Sequence, residues 1–319
     1  MCKVRRCVAA SGYDMPCYSP LVGYKSSRLT DNGKRKFVSK RTHGFVDLSM
    51  TVPCGQCIGC RIDRSRSWAL RCVHEAKFHT ENCFLTLTYD DENVPLGGTL
   101  VKKDLQLFFK RCRNAGINFR YFACGEYGEV SNRPHYHALM FGHAFVADRK
   151  QHSRTKKGDV LYTSATLSAL WPFGHSIITA FSYATAAYTA RYVMKKQIGK
   201  KNLQHEQYSR FDHVTGEEFF ISPEFALMSL KPGLGSSWYE KFKSDAFPSD
   251  FLVHEGKKHP VPKYYSDKLK KEAPDEHDEI RKKRVKARSL AEPDNTPERL
   301  FTKMEVKKSK LKSLVRSLK

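Results

Sequence analysis

The sequence predicts an α+β fold in which an antiparallel β-sheet of the ferredoxin-like or RNA-recognition-like type has flanking helices. Between residues 83 and 200, strand-like and helix-like segments follow one another as strand, helix, strand, strand, helix, strand, helix. The run Gly125-Glu126-Tyr127-Gly128-Glu129 separates the second and third strands and has the composition of a hairpin turn. We therefore expect an antiparallel layer with helices on one face and a functional site on the other.

Each predicted element has a local reason. Leu105, Phe108, Phe109 and Cys112 recur at i, i+3, i+4 and i+7, which is typical of an amphipathic helix. The polar and basic residues 149–158 predict an exposed loop. The predicted strands cover residues 84–89, 119–124, 135–141 and 176–181, and the predicted helices cover 102–114, 165–170 and 184–197.

The third strand carries a pair of histidines. The two-residue period of a strand places His135 and His137 on the same face. Glu126 ends the preceding strand, so a hairpin brings its carboxylate beside them, and Glu129, nearer the loop tip, is the alternative third ligand. Two imidazoles and one carboxylate, with positions open to water or phosphate oxygen, suit Mg²⁺ or Mn²⁺. The alternative is a pair of polar positions on a half-buried strand.

The last predicted helix carries two tyrosines. Tyr188, Tyr192 and Lys195 stand at i, i+4 and i+7 and share one face, and Arg191 and Lys196 are their basic neighbours. A tyrosine pair at this spacing is often packing at the edge of a core. The basic flanks instead favour catalysis, with a phenol as nucleophile, Lys195 stabilising negative charge, and Arg191 and Lys196 contacting DNA.

Three cysteines form the run Cys54-Gly55-Gln56-Cys57-Ile58-Gly59-Cys60, ahead of a helical segment at 62–77. This spacing predicts a structural Zn²⁺ site, and the alternative is that the thiols are packing residues at a helix start. The local pattern lacks a fourth ligand, which Cys17, Cys72, His74 or His79 could supply.

The charge of the chain indicates a polyanionic partner. Its 319 residues include 56 Lys and Arg against 33 Asp and Glu, a net charge of +23. Such a surplus favours nucleic acid, with strongly salt-dependent binding, and the many Phe and Tyr side chains can stack on unpaired bases. No apolar run has the length of a signal peptide or a membrane span, so we expect a cytoplasmic protein with reduced thiols.

Composition divides the chain into four parts. Residues 1–50 form an arm with short strands at most, near 36–38 and 44–48, and residues 51–200 form the catalytic domain with the cysteine-rich helical segment ahead of it. Residues 201–265 are an extension rich in aromatic residues, Gly and Pro, with a candidate strand at 219–222. Residues 266–319 are a basic, partly helical tail, where Thr296-Pro297 is a helix-start signal.

These motifs together resemble the HUH endonuclease superfamily, which contains rolling-circle replication initiators, relaxases and transposases. The resemblance rests on the strand at 84–88, the His135-Tyr136-His137 strand and the Tyr-x-x-x-Tyr-x-x-Lys helix. The turn at 125–128 resembles the third-ligand segment of viral initiators, and the two-tyrosine helix is similar to that of microviruses. The gokushovirus branch is the nearer match, through residues 53–61, 170–174 and 231–235, and the resemblance covers about residues 50 to 265.

The resemblance implies a bacteriophage replication initiator that nicks and religates single-stranded origin DNA through a 5′-phosphotyrosine. His135, His137 and Glu126 would hold the metal, and Tyr188 and Tyr192 would attack the phosphate. A host polymerase would extend the free 3′-OH in the bacterial cytoplasm. The chain has no helicase-type phosphate loop, which implies a host helicase.

Three alternatives stay open at this stage. A plasmid initiator, relaxase or transposase would share the same residues. A non-catalytic protein could bind single-stranded nucleic acid through the same sheet. A DNA-packaging protein is supported by charge alone and leaves the histidines and tyrosines unexplained.

Overall fold

The computed structural model describes residues 17–128, 131–155, 158–195, 208–211 and 215–312, and only the backbone of 192–195. In these ranges the strands are β1 (Leu21–Leu29), β2 (Arg35–Val38), β3 (Gly44–Val52), β4 (Asn82–Tyr89), β5 (Arg120–Tyr127), β6 (Pro134–Phe141), β7 (Lys150–Arg154), β8 (Val160–Thr163), β9 (Gly174–Ala180), β10 (Ser209–Phe211), β11 (Glu218–Phe220), β12 (Phe225–Met228), β13 (Phe251–His254) and β14 (Lys257–Pro260). The α-helices are α1 (Ile58–Ala76), α2 (Lys102–Asn114), α3 (Ala165–Leu170), α4 (Tyr183–Lys195), α5 (Ser236–Phe242), α6 (Lys263–Glu272), α7 (Pro274–Ala291) and α8 (Pro297–Lys312).

The chain divides into two compact units, residues 1–63 with 244–315 and residues 64–243. In the described part of the second unit, seven strands form one antiparallel sheet in the order β12-β5-β6-β4-β9-β8-β7. The predicted α+β class and antiparallel sheet are confirmed, and the seven predicted elements correspond to β4, α2, β5, β6, α3, β9 and α4.

Two parts of this sheet differ from the prediction. Residues 149–158 are not simply a loop, because β7 and β8 pair as a hairpin that extends the sheet. The β7 side chains are mostly exposed, so this edge strand lacks the apolar alternation that would identify it. At the other edge, β12 returns from later in the chain to pair with β5.

Alternate residues of the central strands enter two different apolar clusters. Leu85, Tyr136 and Ala138 belong to a cluster with buried side chains of α2 and α3. Phe84 and Leu139 belong to a second cluster, with buried side chains of α1 and α4. Helices therefore pack on both faces, not on one as predicted, and His135 and His137 lie on the face that α1 and α4 partly cover.

The described part of the first unit has a three-stranded antiparallel sheet in the order β2-β1-β3, the β13–β14 hairpin and the helices α6 to α8. Arg284 of α7 donates from its Nε to a carboxylate oxygen of the buried Asp250, at 2.7 Å. The α8 helix begins at the predicted Thr296-Pro297 signal, where Leu300 N–H donates to the Thr296 carbonyl at 2.9 Å. The apolar stripe expected beyond residue 312 lies outside the described residues. No helix in the described ranges is long and apolar enough to cross a membrane.

Candidate metal centre and tyrosine site

Strand register brings the predicted metal ligands together. In the β5–β6 pair, Glu126 stands opposite His135, and Cys124 stands opposite His137. A slip by one residue would turn both histidines to the other face of the sheet, so the apolar pattern of β6 also fixes the site.

The ligand atoms converge on one carboxylate oxygen. Nε2 of His135 and Nε2 of His137 lie 2.7 and 2.9 Å from Oε1 of Glu126. Adjacent ligands of an octahedral ion with bonds of about 2.1 Å stand about 3 Å apart. The three side chains are thus spaced as ligands of a single divalent cation would be.

The outer ring nitrogens also suit metal binding. His135 Nδ1 lies 3.0 Å from the Arg133 carbonyl oxygen, which only accepts hydrogen bonds, so Nδ1 carries the proton. In the neutral ring, Nε2 then directs its lone pair at the Glu126 carboxylate, and that contact needs a proton or a cation between the two atoms. His137 Nδ1 lies 3.1 Å from Thr86 Oγ1, which helps to orient the second ring.

Burial gives the site its electrostatics. Glu126 is 2% exposed and His137 5% exposed. Burial alone would raise the pKa of Glu126, but hydrogen bonds and charge interactions with His135 and His137 outweigh it and lower that pKa to about 2. Burial also lowers the pKa of His137, which favours the neutral ring that a metal requires. Glu126 Oε2 is buried and has no hydrogen-bond partner among the described residues, so this oxygen is also open to a cation.

Tyr188 of α4 reaches the same point. Its hydroxyl donates to Glu126 Oε1 at 3.1 Å, and its ring lies edge-on to His137, with centroids 5.1 Å apart. Burial and the adjacent Glu126 charge raise the pKa of Tyr188, so the phenol is protonated at neutral pH in the absence of a cation. Arg191 places its guanidinium 4.9 Å from the centre of the Tyr188 ring.

The other predicted site residues have less structural description. The backbone of Tyr192 and Lys195 is helical in α4, but their side chains lie outside the description. Lys196, predicted to contact DNA, and Glu129, the alternative ligand, also lie outside the described residues.

Two residues of β4 support the site and were not predicted. Thr86 pairs in register with His137, and the Phe84 ring stacks on His137 with centroids 5.0 Å apart. They could have been found only by knowing that β4 lies beside β6, because nothing in the β4 sequence indicates its neighbour.

The cysteine run also meets a partner. Cys54, Cys57 and Cys60 lie together with Cys17, which is the fourth residue of the group. Of the other candidates, Cys72 lies in the apolar cluster shared by α1 and α4, and His79 bonds to Glu75. His74, the remaining candidate, stacks on a tryptophan.

Comparison with known proteins identifies relatives that share most of this chain. A family model for replication-associated proteins of the ORF2 type matches residues 82–197, from β4 through α4. The chain is 33% identical to replication-associated protein VP4 of Bdellovibrio phage phiMH2K, over 79% of this chain and 78% of the relative. It is 34% identical to replication-associated protein ORF2 of Spiroplasma virus 4, over 74% and 73%. Replication-associated protein ORF4 of Chlamydia phage 1 is 27% identical over 72% of this chain and 56% of that protein. No solved structure matches the chain.

Proposed function

Because the chain belongs to the replication-associated proteins of microviruses, we propose that it starts rolling-circle replication by cutting and rejoining one strand of origin DNA at a tyrosine. The family supports a role in phage replication, and the chemistry is inferred from the site.

One observation carries the proposal. The hydroxyl of Tyr188 donates to the same carboxylate oxygen that both histidines approach, so a nucleophile lies beside a cation site. A sheet that only bound single strands would need neither a buried carboxylate nor a convergent histidine pair. Enzymes that transfer phosphoryl groups need both a nucleophile and a means of offsetting phosphate charge.

The reaction follows from these positions. A divalent cation bound by Glu126, His135 and His137 would polarise the scissile phosphate and offset its charge. The Tyr188 oxygen attacks phosphorus as its proton leaves along the hydrogen bond towards Glu126. The bond from phosphorus to the 3′ oxygen breaks, and the departing oxygen takes up a proton to become a 3′-OH. The protein then holds the 5′ end as a phosphotyrosine ester.

The ester makes the cut reversible. A 3′-OH can attack the phosphotyrosine, which restores the DNA bond and the free phenol without ATP. Tyr192 stands one helical turn from Tyr188, with Cβ atoms of such pairs about 5–6 Å apart, so it is the second nucleophile that a repeated cycle requires. Lys195 supplies positive charge on the same helix.

The DNA partner follows from charge. A net charge of +23 favours binding to phosphate, and the target must be single-stranded at the cut to reach a side chain that α4 holds against the sheet. We further propose that a host polymerase extends the 3′-OH and that a host helicase unwinds the duplex.

The proposal is tested with oligonucleotides that tile the viral genome, each labelled at either end and incubated with protein and Mn²⁺. We expect one tile to transfer its 3′-end label to a band that resists SDS, while its 5′-end label appears on a shorter free fragment. EDTA should prevent both products. Binding in native gels without any adduct on any tile would contradict the proposal and would support a non-catalytic single-strand binding protein.

A further inference from the structure

A second group of ligand-type side chains lies in the first unit, separate from the histidine site. We call it the four-cysteine cluster: Cys17, Cys54, Cys57 and Cys60. Their sulfur atoms all lie within 4.8 Å of one another, and the Sγ atoms of Cys17 and Cys54 are 3.7 Å apart. Sulfurs bound to a tetrahedral Zn²⁺ at about 2.3 Å stand about 3.8 Å apart, whereas a disulfide requires about 2.05 Å. The spacing is that of ligands around one ion.

Strand pairing explains how a cysteine 37 residues away joins the run. Leu21 at the start of β1 pairs with Val52 at the end of β3. Cys17, just before β1, and Cys54, just after β3, therefore meet at the same end of the sheet. Gly55, with φ of 73°, then turns the chain so that the remaining two thiols follow at the start of α1.

Backbone amides surround the sulfurs. Cys54 N–H donates to Cys17 Sγ at 3.2 Å, and Tyr18 N–H donates to Cys57 Sγ at 3.3 Å. Cys54 Sγ accepts from the N–H groups of Gln56 and Cys57, at 3.4 and 3.2 Å. Such donors stabilise thiolate charge, which four anionic ligands around a divalent cation require. Although burial raises it, the pKa of Cys57 is lowered to about 7 by these and neighbouring hydrogen bonds.

The sheet beside the cluster has little core of its own. In β1 the buried positions are Gly23 and Ser26, and no residue of β2 or β3 is buried. Several large apolar side chains of these strands are exposed, including Val22 and Leu29. A small sheet without buried apolar surface needs a cross-link, and a structural metal can supply folding free energy directly.

We propose that the four-cysteine cluster binds one structural Zn²⁺ ion, which joins the open end of the β1–β3 pair to the start of α1. Four thiolates leave no open position for substrate, which is typical of structural zinc. Zinc is chosen over iron because such a site has higher affinity for Zn²⁺ than for Fe²⁺ and the proposed reaction needs no electron transfer. This inference does not depend on the proposed nicking activity.

The first test is elemental analysis of the full-length protein, purified with reductant and without added metal. Wild type should contain about one zinc per chain, and replacing His135 and His137 by alanine should leave that zinc in place. Cys17→Ser should lose it. Cys72→Ala is the matched control, because Cys72 is a buried cysteine outside the cluster, and its zinc should remain.

The second test does not rely on the variants folding. Wild-type protein stripped of zinc and refilled with Co²⁺ should show the thiolate-to-cobalt charge-transfer band and the strong visible bands of a tetrahedral sulfur site. Removal of zinc should also lower the melting temperature. Wild type without bound metal, wild type with iron, a Cys17–Cys54 disulfide in mass spectra, or full zinc content in Cys17→Ser would each overturn the proposal.

Discussion

Replacing Glu126 by glutamine tests the metal centre with a change of almost no volume. The carboxylate is buried and its pKa falls from an ordinary value of 4.5 to about 2 in the folded protein. That difference corresponds to about 3 kcal/mol of stability at neutral pH, which is also the order expected when one partner of a buried charged pair is removed. We therefore expect the metal-free Glu126→Gln protein to unfold about 3 kcal/mol more easily at pH 7.

The sign of the pH dependence follows from the direction of the shift. A folded-state pKa below the unfolded value stabilises the protein above about pH 4.5, and this stability is lost as the pH falls towards 2. The difference between wild type and Glu126→Gln, measured by urea unfolding in EDTA, should therefore shrink in acid.

Metal provides the sharper readout. At about 100 times its dissociation constant, Mn²⁺ should stabilise wild type by about 2.7 kcal/mol and the variant far less. Glu224→Gln is the matched control, because Glu224 is also buried and accepts a hydrogen bond from Tyr208, away from the histidines. That control should lose stability but keep the Mn²⁺ response. Equal stabilisation of wild type and Glu126→Gln by Mn²⁺ would refute the assignment of this carboxylate as a ligand.

Three further predictions concern the same site. Replacing His135 and His137 by alanine should abolish nicking but leave most DNA binding in a filter assay, since phosphate contacts supply that binding; nicking by this variant, or nicking by wild type in excess EDTA, would contradict the metal role. Tyr188→Phe should destabilise the metal-free fold by about 1.5–3 kcal/mol through the lost hydrogen bond to a carboxylate. Tyr188→Phe and Tyr192→Phe should each allow a first nick, with Tyr192→Phe the more damaging because Tyr192 is closer to the next lysine, but neither should release circles over repeated rounds; unimpaired multiple turnover by Tyr188→Phe would make that tyrosine a packing residue. Arg191→Gln should weaken binding similarly for all single strands and reduce the log–log salt slope by about 1, and an unchanged slope would remove Arg191 from the DNA contacts.

Much of the histidine site could be derived from local rules. The two-residue period of a strand is enough to place His135 and His137 on one face, and a short hairpin is enough to bring Glu126 opposite them. Helical spacing likewise places Tyr188 and Tyr192 one turn apart. Their roles in catalysis stay predictions, but their arrangement depends on residues that are close in sequence.

Long-range pairing accounts for most of what the sequence did not predict. Cys17 joins the cysteine run only because β1 pairs with β3, and Thr86 meets His137 only because β4 lies beside β6. The β7–β8 hairpin and the edge strand β12 were missed for a different reason: exposed or short edge strands need no apolar alternation.

The central claim is a covalent bond between DNA and a tyrosine of α4, and peptide mapping of the adduct measures it directly. Trypsin cleaves after Arg191, so it separates Tyr188 from Tyr192 onto different peptides. After nuclease treatment, mass spectrometry should find a nucleotide phosphate on one or both of these tyrosines, and Tyr188→Phe combined with Tyr192→Phe should give no adduct. A phosphate link at any residue outside α4, or an undiminished adduct in the double variant, would contradict the account.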